Sequence, residues 1–356
     1  MAIIDILFKE MIEKHSSDLH LVPGEPPMLR IDGEIVRLTH HETFSGKVLS
    51  RVLLEILDEK LRDLLFEHKE MDFAYSLENL ARFRCNYFYN SNGLAGVFRV
   101  IPEKIYSLDD LDLPQQLKKI LTLNRGLVLV TGPTGSGKTT TLSAIVDYIN
   151  SNKDGHIITI EEPIEFIHKN KRCLISQRQV GADVNSFPKA LKSALREDPN
   201  VILVGELRDC ETISLALTAA ETGILVLATL HTNSASKTIN RIVSAFPQKQ
   251  QNQIRTMLAG SLKAIIAQQL LKKKDQSGRI AAVEILFANP AVANIVRKNR
   301  SYEIESILET SKDVGMQSID EAISIIYQQG LITLEEARSK AFDKTKFIEF
   351  DDEEDS

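Results

Sequence analysis

The 356-residue sequence predicts an α/β protein: a mixed α+β unit, then a parallel sheet covered on both faces, then a helical segment. Three observations carry this. Short alternating runs broken by Pro and Gly fill residues 18–101. Four apolar runs, at 126–130, 157–160, 201–205 and 224–230, alternate with helical stretches, the pattern of strands buried on both sides. A Gly-rich loop beginning at Gly132 follows the first of these runs and opens a helix.

In chain order, residues 2–14 carry apolar residues at helical spacing, and Ser16-Ser17-Asp18 ends the pattern. Strand-like runs follow at 19–22, 28–31 and 35–38, and Asp32-Gly33 between the last two signals a hairpin. Val48, Leu49, Val52, Leu53, Ile56 and Leu57 predict a helix over 46–66. Strands at 71–76, 82–89 and 94–101 close the first domain, 1–101, the last two joined at Asn90-Ser91-Asn92-Gly93. Residues 102–114, with Pro102, Pro114 and Asp109-Asp110-Leu111-Asp112, read as a linker. The sheet core then spans 115–288, a helical segment 289–345, and an acidic end 346–356 of disordered composition.

That end accounts for the charge. The net of −6 comes from 43 Lys+Arg against 49 Asp+Glu; residues 349–356 hold six acids and no base, so the remainder is neutral. A neutral body argues against nucleic acid as the main partner. No apolar run approaches the roughly 18–20 residues of a membrane helix, and residues 1–14 lack the basic-then-apolar order of a signal peptide. Cys85, Cys173 and Cys210 form no CxxC pair, which argues against a structural zinc site or disulfide framework and for a reduced, cytosolic chain. The basic clusters 272–274 and 169–172 read as solvated loops, and Ile319, Ala322, Ile323 and Ile326 as core.

Gly132-Pro133-Thr134-Gly135-Ser136-Gly137-Lys138-Thr139 fits the G-x-x-x-x-G-K-[ST] phosphate loop in its strand–loop–helix setting, with Thr140 next in the helix. Gly132, Gly135 and Gly137 let several backbone N–H groups converge on one anion. The helix N-terminus adds partial positive charge. Lys138 is placed to neutralise the β/γ-phosphates and the Thr139 hydroxyl to hold Mg2+. Hydrolysis also needs acids, and polar residues follow three of the apolar runs: Glu161, Glu162 and Glu165; Glu206 and Asp209; and His231. Ligands bind at those ends in open α/β sheets. Each acid also has a plainer reading as a solvated strand end, and His231 as a structural histidine.

Together these motifs resemble the type IV pilus and type II secretion ATPases, most closely the PilT-like twitching-motility retraction motors. The resemblance rests on GPTGSGKT (132–139), TIEEPIEF (159–166), LREDPNVILVGELRD (195–209), AETG (220–223) and ATLHTNSA (228–235). In the first domain it rests on SDLHL (17–21), PPMLRIDG (26–33) and ARFRCN (81–86). It implies a PAS-like first domain and a RecA-like P-loop core that uses ATP and Mg2+. It further implies a cytoplasmic homohexamer at the inner-membrane face of the pilus machine, with a membrane platform protein and a paralogous motor as partners, and neither nucleic-acid binding nor membrane insertion. Carried over, Glu165 is the water-orienting base, Glu206 acts on Mg2+ through water in place of the usual aspartate, and His231 senses the γ-phosphate. Arg82, Arg84 and Arg99 supply cations to the phosphates; their plainer reading is strand-surface salt bridging.

The departures are specific. Glu162 stands where the acidic box has Asp, and Asn92 where the retraction motors commonly have Arg. Ala293 and Lys298 replace the first arginine and final glutamate of the C-terminal retraction motif. These leave hydrolysis intact and bear on its coupling to retraction. The missing tetracysteine insert favours the retraction branch, including its accessory PilU-like paralogue. Pilus-assembly or type II secretion ATPases, a nucleotide-binding scaffold and a RecA-like nucleic-acid motor are the competing readings.

Overall fold

Residues 3–31, 33–77, 80–101 and 104–347 are described by a computed structural model. Two units emerge, Met1–Lys104 with Glu162–Ile167, and Ile105–Glu161 with His168–Ser356. The first contains α1 (Ile3–Glu13), β1 (Asp18–Leu21), β2 (Met28–Ile31), β3 (Glu34–Arg37), α2 (Gly46–Glu55), α3 (Glu59–His68), β4 (Glu70–Leu77), β5 (Ala81–Asn90) and β6 (Gly93–Ile101). Its sheet runs β3-β2-β1-β6-β5-β4, and every neighbouring pair is antiparallel.

Period-2 alternation gives that sheet one apolar face. On β5, Ala81, Phe83, Cys85 and Tyr87 are buried with Phe8 and Met11 of α1 and Leu49 and Leu53 of α2. Phe8 stacks on Phe83 with centroids 4.0 Å apart, and the Tyr87 hydroxyl donates to the Leu53 carbonyl at 3.0 Å. Arg82, Arg84 and Asn86 alternate with these and stay half-exposed. The single helix predicted over 46–66 is two helices. Asp58 Oδ1 accepts from Leu61 N at 2.8 Å, so a side-chain cap restarts the helix where apolar spacing alone reads straight through. The hairpin residue Asp32 lies outside the described residues, but β2 and β3 pair from Met28↔Arg37 to Ile31↔Glu34.

The second unit holds α4 (Lys118–Leu121), β7 (Gly126–Thr131), α5 (Lys138–Asn152), β8 (Gly155–Glu161), β9 (Cys173–Gln179), α6 (Phe187–Ala194), β10 (Val201–Val204), α7 (Cys210–Glu221) and β11 (Leu225–Leu230). It continues through α8 (Ala235–Ser244), α9 (Gln248–Ser261), β12 (Leu262–Lys272), β13 (Arg279–Phe287), α10 (Pro290–Arg297), α11 (Ile304–Thr310), α12 (Ile319–Gln328) and α13 (Leu334–Lys340). The sheet order is β13-β12-β7-β11-β10-β8-β9, parallel except for β13. Both faces are covered. Leu127, Leu129, Ile202, Val204, Val226 and Ala228 pack under α6 to α9, while Val128, Val130, Val201, Leu203, Leu225 and Leu227 pack under α4 and α5.

Three of these strands, β9, β12 and β13, were not among the predicted runs. The stretch expected as a linker is packed for part of its length, with Leu108 and Leu113 buried beside Leu117 and Ile120. Ile319, Ala322, Ile323 and Ile326 lie in a satellite core with Leu271 and Phe347. Phe347 is fully buried in a short turn, Lys344–Phe347, so the acidic end starts later than 346. The rest of that end, 348–356, lies outside the described residues. The basic cluster at 169–172 is exposed and neutralised locally, Lys171 by Asp147 at 2.8 Å and Arg172 by Asp154. Among the described residues no helix is long and apolar enough to cross a membrane.

Candidate functional site

The polar ends of the central strands fall along one edge of the sheet because the parallel registers align them. β11 lies between β7 and β10, with Leu230 opposite Thr131 and Ala228 opposite Val204, and Val204 in turn faces Ile160 of β8. The loop 132–137, Gly205-Glu206, His231 and Glu161 therefore leave adjacent strands on the same side.

The loop has the backbone that its glycines were expected to permit. Gly132, Gly135 and Gly137 take φ of 147°, 79° and 87°, values that a side chain disfavours. A Cβ at Gly132 would sit 2.2 Å from the Gln268 carbonyl oxygen, whereas one at Gly135 would meet nothing within 4 Å. Lys138 is buried, and its Nζ donates to the carbonyls of Gly132 and Pro133 at 2.9 and 3.0 Å. Ser136 Oγ is buried and meets no hydrogen-bond partner among the described residues. An orphaned hydroxyl, a buried ammonium and open space over Gly135 at a helix N-terminus fit a polyphosphate. Thr139 and Thr140 lie half-exposed in the first turn of α5; Pro133 and Thr134 are exposed at the loop tip.

Glu206 and His231 meet: Glu206 Oε1 lies 3.3 Å from His231 Nε2, and Arg208 Nε donates to Glu206 Oε2 at 2.8 Å. The neighbouring backbone is locked, since Thr229 Oγ1 donates to the Gly205 carbonyl at 2.5 Å and Leu207 N to the Thr229 carbonyl at 3.0 Å. Asp209 has a role that neither of its sequence readings named. It caps α7, accepting from Thr212 N at 2.8 Å and Thr212 Oγ1 at 2.7 Å. Glu161 is buried and accepts from Thr159 Oγ1 at 2.7 Å.

The arginines are all in the first unit. Arg84 on β5 stands directly opposite Arg99 on β6, and nearby acids offset the like charges. Arg99 Nε donates to Asp18 at 2.9 Å, while Arg84 lies 3.6 Å from Asp72 and 3.7 Å from Glu165. Arg82 shares the Arg84 face of β5 and is half-buried. Glu165 groups with this unit through the segment Glu162–Ile167, beside Arg84.

Two residues were not anticipated. Gln268 of β12 is buried, and its amide spans the loop and its helix: Nε2 donates to the Ser136 carbonyl at 2.7 Å and Oε1 accepts from Thr141 Oγ1 at 2.8 Å. With Pro133, His231 and Asn233 it lines a cavity of about 340 Å³. A paired Gln inside the apolar run of 262–272 was the available signal. Glu284 of β13, also buried, accepts from Ala235 N at 2.6 Å and so caps α8, the helix after the histidine segment. Burial, with Glu305 and Asp320 adding to it, pushes its carboxyl up to about 7 despite that hydrogen bond.

Comparison with known proteins accords with this arrangement. The profile of the family described as Type II/IV secretion system protein matches residues 1–339. The chain is 47% identical over 326 residues to the type IV pilus retractation ATPase PilT of Pseudomonas aeruginosa, covering 92% of this chain and 94% of that protein. It is 41% identical over 335 residues to the type IV pilus ATPase PilU of the same organism, covering 94% and 87%. A crystal structure of the pilus retraction motor PilT with bound ADP matches with a TM-score of 0.88 at 43% identity, covering 97% of this chain and 98% of that one.

Proposed function

The chain belongs to the type II/IV secretion system protein family, and from that premise we propose that it is an ATP-hydrolysing motor for type IV pilus retraction. The observation that carries this is the phosphate loop, with its orphaned Ser136 hydroxyl, on the same sheet edge as a paired Glu206 and His231. Near-full-length likeness to a retraction ATPase supports it.

In this reading the loop amides, Ser136 and Lys138 hold the ATP phosphates. Thr139, and Glu206 through water, would hold Mg2+, which supplies positive charge to the β/γ-phosphates. Glu165 orients the attacking water, and His231, steadied by Glu206, reads the γ-phosphate. Charge spread over the transferred phosphoryl must be met by placed cations, and Arg82, Arg84 and Arg99 are the proposed source. The working form is a homohexamer on the cytoplasmic face of the inner membrane, acting on a platform protein.

ATP turnover by the assembled chain tests the enzyme reading. Lys138→Ala should abolish it, and Glu165→Ala or Glu206→Ala should cut it at least about a hundredfold. Unchanged turnover in Glu206→Ala sinks the role given to that residue. A deletion strain that is piliated but does not twitch supports retraction; loss of pili would favour assembly. The accessory-paralogue reading draws on the likeness to PilU and on Ala293 and Lys298. It expects twitching to depend on a second motor even when turnover here is normal.

A further inference from the structure

We propose that Glu10, His40 and His41 form a zinc-binding site in the first unit, separate from the nucleotide machinery. Glu10 projects from α1, and the two histidines lie just after β3. The imidazoles converge on one carboxylate: His41 Nε2 is 2.7 Å from Glu10 Oε2, and His40 Nε2 is 3.0 Å from Glu10 Oε1. One ligand atom from each residue lies within 4.8 Å of the others. Zn2+ with ligands at 2.0–2.1 Å holds them about 3.3 Å apart in a tetrahedron, so the 2.7 and 3.0 Å contacts to the carboxylate open slightly around the ion while the two ring nitrogens settle to that spacing.

The chemistry of the donors selects the ion. Two imidazoles and a carboxylate suit Zn2+ and its first-row neighbours, whereas Mg2+ and Ca2+ take oxygen ligands. Both backbones are anchored close to the donors. Met11, next to Glu10, is buried, and His41 N donates at 3.0 Å to the carbonyl of buried Leu38. The rings lie 4.4 Å apart. The side chain of His40 is 57% exposed, which leaves an approach for the metal and a position for water as fourth ligand. Lys14 Nζ, 3.7 Å from Glu10 Oε1, is a surface partner that can swing away at little cost. To ligate through Nε2, each ring must give up the Nε2–H it now directs at the carboxylate, to solvent or by tautomeric shift to Nδ1.

Calorimetric titration of Zn2+ into the nucleotide-free, chelator-treated full chain should show one saturable site of micromolar affinity or tighter. His40→Ala, His41→Ala and Glu10→Gln should each weaken it at least about tenfold. Co2+ in place of Zn2+ should give visible absorption of a four-coordinate site that the H40A/H41A double variant lacks. The exposed His40→Ala variant, with an unchanged melting midpoint in EDTA, separates loss of a ligand from loss of folding. Absence of a saturable site, or one that survives H40A/H41A, overturns the proposal.

Discussion

Replacing Gln268 by Leu tests whether the phosphate loop is held by β12. Leucine keeps most of the volume and deletes both amide hydrogen bonds. The Ser136 carbonyl and the Thr141 hydroxyl, the latter 1% exposed, then have no partner at the 2.7 and 2.8 Å contacts they lose. Each stranded buried group costs about 1–3 kcal/mol. The added apolar burial returns about 1–2 kcal/mol, leaving a net loss of about 0–5 kcal/mol, centred on roughly 2–3. Urea unfolding reads that loss as a lower midpoint at constant slope. Titration with a fluorescent ATP analogue should show nucleotide affinity falling about tenfold or more, because the loop loses its clamp. Gln268→Glu is the paired control: it keeps an acceptor for Thr141 but turns an oxygen toward the Ser136 carbonyl. It should hurt nucleotide binding at least as much as Leu. A Leu variant within about 0.5 kcal/mol of the parent, with unchanged nucleotide affinity, would refute the reasoning.

Other outcomes follow from the same geometry. Gly132→Ala should lose nucleotide binding by equilibrium titration, because its Cβ would sit 2.2 Å from the Gln268 oxygen. Asp209→Ala should cost about 1 kcal/mol in urea unfolding through loss of the α7 cap, while ATP turnover per folded chain stays near the parent value. Glu284 titrates near 7 when folded and near 4.5 when unfolded. Between those values the unfolded state sheds the proton first, so stability falls as pH rises, by on the order of 3 kcal/mol, and is flat above. The stability of Glu284→Gln relative to the parent should therefore climb from pH 5 to pH 8; a constant difference would exclude the shift.

What could be read ahead of the structure divides by the range of the interaction that decides it. The loop 132–139 was legible because strand, loop and helix are contiguous. Glu206 and His231 were legible because each directly follows an apolar strand run, and parallel strands end together. The break at Asp58 was legible in principle, since Asp followed by the acidic Glu59 is an N-cap signal, but uninterrupted apolar spacing hides it. Strands β12 and β13 were missed because an apolar run such as 262–272 suits a helix as well as a strand until a neighbour pairs with it. Gln268 went unnoticed for the same reason, its partners lying 127 and 132 positions away. The meeting of Glu10 with His40 and His41 depends on packing of α1 that no local pattern encodes.

The grouping of Glu162–Ile167 with the first unit bears on how the chain is made. A ribosome delivers residues 1–104 first, and that stretch emerges without the hexapeptide that completes its contacts, including the Glu165 carboxylate beside Arg84. The hexapeptide arrives only after β7, α5 and β8 have been synthesised, carried on the end of a strand that belongs to the other unit. Final closure of the first unit is thus scheduled by translation of the second. A protease cut after residue 104 would accordingly put Arg84 and Glu165 on different fragments, so the first unit would no longer be a single piece of chain.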